Sequence, residues 1–329
     1  MTVGLLLGGI SAERAVSLET GKSVYEALLE LGYKVKLIDP AFGDAQPKIA
    51  DDFFIKKDVE STKKIFLKTF NSENFSGVDV VYNAMHGPLA EDGVTQTLLD
   101  LLNLQYVGAD ALASGIGMDK ALSKIMFERV GVKTPKGYLI TRKNFSAEKA
   151  VEYVYGNLSL PFIVKPNNQG STIGLTLCND VGALDEAVGK AFSVADKVLI
   201  EEFISGRELT VAVIKDEAFP VLEIVPKSGL YDFDAKYNSD DTDYIVPAEV
   251  ENNISEKMKD WAVKAFNAIG CRDYGRIDFK LTENNEIYCL EINTLPGMTN
   301  HSLVPKMAQA AGINFNELID SLIKNAAER

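Results

Sequence analysis

The chain has 329 residues, 46% of them hydrophobic and 25% charged, a composition typical of a globular protein with two or three domains. Its net charge of -13 disfavours binding to nucleic acid and to anionic membrane surfaces. No stretch reaches the roughly 18 uninterrupted apolar residues of a membrane span. Met1 leads into a strand-like segment without a basic leader, which predicts a cytoplasmic protein. Three widely spaced cysteines in apolar contexts are expected to be reduced core thiols: Cys178, Cys271 and Cys289.

The first hundred residues alternate strand and helix signals. An apolar run ends at Gly8 and Gly9, and Ser11 is expected to cap the helix that follows. Strands are predicted over 3–7, 34–38, 78–82 and 104–107, and helices over 11–31 and 95–102. This is a βαβ pattern. The G-x-G-x-x-G pattern is missing, so a dinucleotide cofactor is disfavoured.

Glu13 and His86 each follow a predicted strand, where open α/β sheets bind their ligands. Glu13 either complements the dipole of its helix or receives a substrate ammonium group, and its position favours the second interpretation. His86 is either a hydrogen-bonded structural residue or a neighbour of the substrate. With only two histidines in the chain, a histidine-based metal cluster is excluded.

The middle of the chain contains a hairpin with a glycine-rich flap. Residues 108–117 are interpreted as a boundary rich in Gly and Ala, followed by helices over 118–130 and 145–155 and a strand over 134–140. Strands over 162–166 and 175–178 then flank the flap, residues 167–174. Lys165 precedes the flap on a strand, so this is not a P-loop, yet flap N–H groups above a lysine can cradle phosphates. An ordinary glycine hairpin with a solvated Lys165 is the alternative.

The last third is predicted to hold an antiparallel sheet. The expected strands cover 198–204, 208–214 and 219–226, and the helices 184–192, 254–269 and 316–327. Residues 229–244 are too polar for a core and contain interleaved aromatics, which favours a lid over the site.

Residues 276–293 read as a β-hairpin, since both flanks alternate apolar and polar residues. A four-residue loop from Glu283 to Glu286 gives a register in which paired positions sum to 569. The register pairs Ile277 with Ile292, Phe279 with Leu290, Leu281 with Tyr288, Asp278 with Glu291, and Arg276 with Asn293.

Two carboxylates facing each other ordinarily destabilise a sheet, so a shared proton or a divalent cation is expected between Asp278 and Glu291. Together with Asn293 they present oxygen donors on one face, which suits Mg²⁺ and favours the cation. The alternative is a solvated face on which Asp278 merely pairs with Arg276 or Lys280.

The sequence resembles the ATP-grasp family and, within it, the D-alanine:D-alanine ligases, over nearly its whole length. Eight blocks carry the resemblance: Leu-Gly-Gly-Ile-Ser-Ala-Glu-Arg (7–14), His-Gly-Pro-Leu-Ala-Glu-Asp-Gly (86–93), Met-Asp-Lys (118–120), Val-Lys-Pro (164–166), Gln-Gly-Ser-Thr-Ile-Gly (169–174), Lys-Tyr (236–237), Gly-Arg-Ile-Asp (275–278) and Glu-Ile-Asn-Thr-Leu-Pro-Gly-Met-Thr (291–299).

The resemblance implies an α/β ATP-grasp fold, in which a Rossmann-like parallel-sheet domain (1–108) precedes two α+β domains (109–200 and 201–329) that sandwich ATP. It implies ligation of two D-alanines through an acyl phosphate, for peptidoglycan precursor synthesis, by a homodimer that uses two Mg²⁺ ions, or Mn²⁺ in their place. D-alanine:D-serine, D-alanine:D-lactate and other ATP-grasp carboxylate-amine ligases are alternatives. The Lys236–Tyr237 pair favours an amine nucleophile over lactate. A carboxylase and a nucleotide sensor fit the motifs less well.

The resemblance also implies the following roles. The residues implied for ATP are Lys120, Lys165 and Lys236 at the phosphates, Glu201, Glu202, Phe203 and Ile204 at adenine, and Glu208 at the ribose. The residues implied for the metal are Asp278, Glu291 and Asn293. For the substrates, the resemblance implies that Glu13 binds the first ammonium and is linked to Ser171 and Tyr237. It also implies that Arg276 and the Gly297 N–H stabilise the oxyanion, and that Ser302 and Leu303 bind the second carboxylate.

Overall fold

The fold contains a parallel sheet at the start of the chain. The computed structural model describes residues 1–56, 59–170, 172–226 and 242–329. The strands are β1 (Thr2–Leu6), β2 (Lys34–Ile38), β3 (Val80–Asn83) and β4 (Gln105–Tyr106), in the parallel order β2-β1-β3-β4. The helices are α1 (Arg14–Glu30), α2 (Lys63–Thr69) and α3 (Val94–Leu101), with short 3-10 helices at Pro40–Phe42 and Ala50–Phe54. The predicted βαβ pattern is confirmed, because parallel neighbours require such crossovers.

The prediction that Ser11 caps α1 is wrong, since the N-cap is Glu13. The Ser11 hydroxyl donates to the carbonyl of His86 at 2.6 Å and accepts the Glu13 N–H at 3.2 Å. It therefore links the loops after β1 and β3 instead of capping the helix. Gly8 in the same loop has φ +75°, and a Cβ there would lie 2.4 Å from Asp39 Oδ2, so this turn requires glycine.

The second sheet is antiparallel. Its strands are β5 (Gly137–Thr141), β6 (Phe162–Pro166), β7 (Thr176–Cys178) and β8 (Lys197–Glu202), in the order β5-β8-β6-β7. Helices α4 (Ala111–Met118) and α5 (Lys120–Arg129) precede it, and α6 (Ala147–Asn157), a 3-10 turn (Val181–Ala183) and α7 (Leu184–Phe192) lie within it in sequence.

Residues 108–117, interpreted from the sequence as a boundary, are mostly helical, and their role as a domain boundary stays a prediction. Most of the segment belongs to α4, which begins where the Asp110 side chain accepts the Ala113 N–H at 2.9 Å. Small residues are needed here because α4 passes close to its neighbours: a Cβ on Gly117 would lie 2.8 Å from Thr294 Cγ2.

The third sheet is also antiparallel and carries the predicted hairpin. Its strands are β9 (Arg207–Ile214), β10 (Glu217–Ala218), β11 (Leu222–Pro226), β12 (Thr242–Ile245), β13 (Tyr274–Leu281) and β14 (Ile287–Asn293), in the order β12-β11-β9-β13-β14 with β10 on β9. Helix α8 (Asn252–Ala268) packs on this sheet, and α9 (Leu303–Ala310) and α10 (Phe315–Ala327) follow.

The register of the β13–β14 hairpin is confirmed in its functional half and wrong in the other. Arg276 faces Asn293, Ile277 faces Ile292, and Asp278 faces Glu291, as predicted. A β-bulge after Asp278 then shifts the pairing: Phe279 faces Cys289 instead of Leu290, and Leu281 faces Ile287 instead of Tyr288. Bulges often lie beside functional sites, where they re-aim side chains.

The last two helices return to the first sheet. Val304 of α9 and Leu318 of α10 share a buried core with Val3 and Leu5 of β1. The boundaries at 108/109 and 200/201 stay predictions; β8 continues to Glu202. Of the predicted lid, residues 229–241 lie outside the described part of the chain, whereas Thr242–Tyr244 belong to β12.

The three cysteines are free and buried, as predicted. Among the residues that the structure describes, no helix is both long and apolar enough to cross a membrane.

Candidate active site

Asp278 is held by two partners at the functional end of the hairpin. The Arg276 guanidinium donates to both of its carboxylate oxygens, at 2.9 and 2.8 Å, and the Thr210 hydroxyl of β9 donates to Oδ1 at 2.6 Å. This pairing is the one that the solvated-face alternative expected, but both ionic side chains are largely shielded from solvent. The contacts fix the carboxylate and the guanidinium in one orientation.

Glu291, on the opposite strand, faces a cation from another element. Lys120, the first residue of α5, lies 3.1 Å from Glu291 Oε2 and donates to the Gln169 carbonyl in the flap at 2.8 Å. Lys120 is 8% exposed, so this charge is nearly buried. Each member of the facing carboxylate pair thus has a cation beside it, and a shared proton is not required to relieve their repulsion.

The donor set at this face fits a divalent cation. Asp278 and Glu291 supply carboxylate oxygens on adjacent strands, and Asn293 follows on the same face as Glu291, with its amide oxygen accepting the Leu295 N–H at 2.9 Å. Glu291 keeps 31% of its side chain exposed toward the cavity. Hard oxygen donors of this kind are what Mg²⁺ prefers.

Lys165 and Glu201 lie side by side beneath the flap. Glu201 on β8 faces Ile163 on β6, so Lys165, two residues further along β6, is its diagonal neighbour on the same face. Lys165 pairs with one oxygen of Glu201, and Lys124 of α5 pairs with the other. All three groups are buried, which makes the solvated-lysine alternative wrong.

Charge compensation decides the ionisation of Glu201. Burial raises the pKa of this carboxyl, but the two lysines outweigh burial, and the pKa lies below its usual value. Burial lowers the pKa of Lys124, with Glu201 acting in the opposite direction.

Glu13 and His86 lie together, as their positions after β1 and β3 predict. Side-chain donor atoms of Glu13, His86 and Glu91 lie within 4.8 Å of one another. His86 contacts the Thr20 hydroxyl at 3.0 Å through Nε2 and Glu91 Oε1 at 3.4 Å through Nδ1. The flap reaches the same place, because a Cβ on Gly170 would lie 3.7 Å from Glu13 Oε1.

Gly297 and Ser302 are neighbours at the start of α9. A Cβ on Gly297 would lie 3.2 Å from the Ser302 hydroxyl oxygen. That oxygen accepts the Thr299 N–H at 3.0 Å, and Ser302 is the N-cap residue of α9, directly before the buried Leu303. A helix N-terminus with a hydroxyl beside it suits a carboxylate ligand.

The segment predicted to bind the nucleoside lies at the exit of β8. Glu202 ends the strand, and its carboxylate lies 3.4 Å from the Lys136 N–H. Phe203 is half-buried and Ile204 is buried. Glu208 on β9 pairs with Lys280 of β13 at 3.0 Å.

One cavity joins several of these groups. It is lined by residues of α4, α5, β14, the flap and the loop after β3, among them Glu91, Lys120, Gly170, Glu291 and Asn293. The structure therefore brings residues predicted for phosphate and metal next to Glu91, whose carboxylate lies beside Glu13, the residue predicted for the substrate ammonium. Ser171, Lys236 and Tyr237 lie outside the described residues.

Three residues of the site were missed from the sequence. Glu91 stands in the His86 motif, and Lys124 follows Lys120 by one helical turn, so both had a local signal. Thr210 had none, because its contact with Asp278 is made between strands 68 residues apart.

Comparisons with known proteins show the family of the chain. Family models described as D-ala D-ala ligase N-terminus and C-terminus match residues 2–109 and 126–324. A D-alanine–D-alanine ligase of Syntrophotalea carbinolica is 38% identical over 328 residues, which cover 99% of this chain and 96% of the relative.

Two crystal structures are also similar. The VanG D-Ala:D-Ser ligase of Enterococcus faecalis has a TM-score of 0.81 at 27% identity, covering 98% of each chain. The D-alanine–D-alanine ligase of Bacillus anthracis complexed with ATP has a TM-score of 0.80 at 28% identity, covering 100% of this chain and 97% of the other. The predicted α/β ATP-grasp fold is confirmed, and the chain belongs to the D-alanine:D-alanine ligase family of ATP-grasp enzymes.

Proposed function

We propose that this chain joins two molecules of D-alanine into D-alanyl-D-alanine, with conversion of ATP to ADP and phosphate, as a step in peptidoglycan precursor synthesis. The observation that carries the proposal is the shared cavity, in which Lys120, Glu291 and Asn293 lie beside Glu91 and the flap residue Gly170. A phosphate-binding lysine, an oxygen-donor face and an acidic pocket for an ammonium group are the parts that this ligation requires.

The ligation proceeds in two steps. The carboxylate of the first D-alanine attacks the γ-phosphorus of ATP, ADP leaves, and an acyl phosphate forms. The amine of the second D-alanine, after losing a proton, attacks the acyl carbon, and phosphate leaves from the tetrahedral intermediate. Both steps concentrate negative charge at one place, so positioned cations and N–H donors are the main requirement.

The chain's own residues meet this requirement. Lys120 and Lys165 hold the ATP phosphates, with Glu201 to Ile204 at adenine and Glu208 at the ribose. Asp278, Glu291 and Asn293 hold two Mg²⁺ ions, or Mn²⁺, which neutralise phosphate charge when bound. Arg276 and the Gly297 N–H stabilise the oxyanion, and the fork from Arg276 to Asp278 orients its guanidinium.

Two contacts fix the orientation of the substrates, one to an ammonium group and one to a carboxylate. Glu13, with His86 and Glu91 beside it, binds the ammonium group of the first D-alanine. Ser302 and Leu303, at the N-terminus of α9, bind the carboxylate of the second. From the sequence alone we assign Ser171 and Tyr237 to the contact with Glu13, and Lys236 to the transferred phosphoryl group.

Ligation of D-alanine to D-serine is the second candidate. The likeness to the VanG D-Ala:D-Ser ligase, at a TM-score of 0.81, favours it. The higher identity of 38% to a D-alanine–D-alanine ligase makes D-alanine the better candidate for the second substrate.

Phosphate release with ATP and Mg²⁺ separates these candidates. We expect release with D-alanine alone, little with L-alanine, and a second-site preference for D-alanine over D-serine and D-lactate when each competes at equal concentration. Dominant formation of the mixed D-alanyl-D-serine product would overturn the choice of second substrate. Phosphate release without any dipeptide would overturn ligation itself.

We further propose a cytoplasmic homodimer. ATP as a substrate places the enzyme where ATP is made, in the cytoplasm. Leu101 of α3 and Leu112 of α4 are 74% and 72% exposed on neighbouring helices, and a second copy would bury such an apolar surface. Sedimentation equilibrium tests this state: a dimer is expected, and a monomer at micromolar concentration would contradict it.

A further inference from the structure

Helix α5 presents two buried lysines to the site. Lys120 and Lys124 are four residues apart and therefore lie on one face of the helix, where they are 8% and 5% exposed. Lys120 reaches Glu291 and the flap, whereas Lys124 reaches deeper, to Glu201 on β8.

Glu201 thus has a lysine on each carboxylate oxygen, Lys124 on Oε2 and Lys165 on Oε1. One carboxylate needs only one cation for neutrality, and the diagonal neighbour Lys165 already supplies it. The cluster of three buried groups has one positive charge in excess. Burying an additional cation is costly, so a second lysine at this place calls for a reason beyond stability.

The reason follows from the position of Lys165. Under the proposed function, this lysine binds ATP phosphates, which compete with Glu201 for its ammonium group. If Lys165 were the only partner, its departure would leave a buried carboxylate without a cation. Such a loss costs far more than the exchange of one partner for another.

We propose that Lys124 is a positioning residue for nucleotide binding: it keeps Glu201 charged and in place while Lys165 moves from Glu201 to the phosphates of ATP. The inference rests on the proposed function and deepens it. Lys124 itself contacts neither phosphate nor metal, and acts only through Glu201.

This exchange predicts a selective defect. Without the charge of Lys124, Lys165 is held more tightly by Glu201, so ligands that recruit Lys165 bind more weakly. ATP analogues and ADP carry phosphates and are affected. Adenosine carries none, so its affinity should fall by a smaller factor, which reflects only the contact of Glu201 with adenine.

A double-mutant cycle measures the coupling between Lys124 and Glu201 in nucleotide binding. Binding of a non-hydrolysable ATP analogue with Mg²⁺ is followed by calorimetry for wild type, Lys124→Met, Glu201→Gln and the double variant. Lys124→Met should weaken the analogue at least about tenfold in the wild-type background and less than about threefold in the Glu201→Gln background. Arg129→Met, which removes an exposed charge from the same helix, should leave the affinity unchanged.

The cycle has outcomes that overturn the inference. Equal weakening in both backgrounds would show that Lys124 does not act through Glu201, and equal weakening of adenosine and the ATP analogue would show that it does not act through Lys165. A wild-type protein that does not bind the analogue refutes the proposed function, whereas a wild type that binds it without coupling refutes only the role of Lys124.

A second measurement is made on the wild-type protein, with variants used only to assign signals. In wild type with carbon-13 labelled lysine, the ε-carbon signals of Lys124 and Lys165 are assigned from Lys→Arg variants. Saturation with the ATP analogue should produce the larger shift at Lys165, since this lysine changes partner. A larger shift at Lys124 would contradict the exchange.

Discussion

Replacing Glu291 by Gln separates the structural role of this residue from its role in catalysis. The variant keeps the shape of the side chain but removes its charge. In the structure this charge faces Lys120 at 3.1 Å and stands opposite Asp278 across the hairpin. The change therefore removes one favourable ion pair and one unfavourable facing pair at once.

The expected loss of stability is small. At 3.1 Å and an effective dielectric constant of about 20, the attraction between Lys120 and Glu291 is about 5 kcal/mol. Desolvation of both groups offsets most of it, and the Glu291 side chain is 31% exposed, so solvent screens the pair further. Relief of the repulsion with Asp278 acts in the opposite direction. We expect the free energy of unfolding to fall by no more than about 1 kcal/mol.

The expected loss of activity is much larger. One anionic ligand is removed from the oxygen-donor face, so the Mg²⁺ concentration for half-maximal rate should rise and turnover should fall at least about tenfold. Steady-state rates over a magnesium titration, together with urea unfolding of the same samples, measure both effects. Glu286→Gln is the matched control, because this residue of the same hairpin pairs with Lys133 at 3.1 Å but is 54% exposed in the loop.

The reasoning fails if Glu291→Gln leaves the magnesium titration unchanged. It also fails if the control variant shows the same rise, since the effect would then belong to hairpin stability and not to the metal-binding face.

Three other predictions follow from the structure. Glu13→Gln should raise the Michaelis constant for the first D-alanine more than that for ATP, because a charge-assisted hydrogen bond of about 1.5–3 kcal/mol is lost. An unchanged Michaelis constant for D-alanine with a lowered melting temperature would mean that Glu13 only complements the dipole of its helix. Burial raises the pKa of the Asp119 carboxyl, but hydrogen bonds from its amide, lysine and backbone partners outweigh burial, and the pKa lies below its usual value. The charged Asp119 therefore stabilises the fold above its unfolded pKa, and this contribution is lost as the pH falls through the folded pKa. Asp119→Asn should therefore cost about 1 kcal/mol at pH 7 in urea unfolding and progressively less as the pH falls below the unfolded pKa, and a cost that does not fall with pH would contradict this. Burial raises the pKa of the Cys178, Cys271 and Cys289 thiols, so a disulfide reagent should modify them only after unfolding, and rapid modification of the native protein would refute it.

The sequence predicted most elements because strand and helix periods are local. The half of the hairpin that carries Asp278 and Glu291 was predicted from alternation alone. The bulge was not, because residues 287–290 are all apolar. The pattern cannot tell whether Ile287 and Cys289, or Tyr288 and Leu290, pair with the apolar face of β13. The Ser11 cap failed because its hydroxyl bonds the His86 carbonyl, 75 residues away, which no local pattern contains.

The site was predictable where its residues stand in short motifs and unpredictable where elements cross. Lys120 and Lys165 were recognised from their motifs, but their partners were not. The approach of Lys120 to Glu291 depends on how α5 packs against β14, and that of Lys124 to Glu201 on how α5 packs against β8. Such contacts depend on tertiary packing, which the spacing of residues along the sequence does not reveal.

The central claim, ligation through an acyl phosphate, is tested most directly by following one oxygen atom. D-alanine labelled with oxygen-18 in its carboxylate is incubated with the protein, ATP and Mg²⁺, and the released phosphate and the dipeptide are analysed by mass spectrometry. Transfer of the carboxylate oxygen to phosphorus, followed by loss of phosphate to the amine, predicts one oxygen-18 atom in each phosphate released with D-alanyl-D-alanine. Dipeptide formation with unlabelled phosphate would contradict the account.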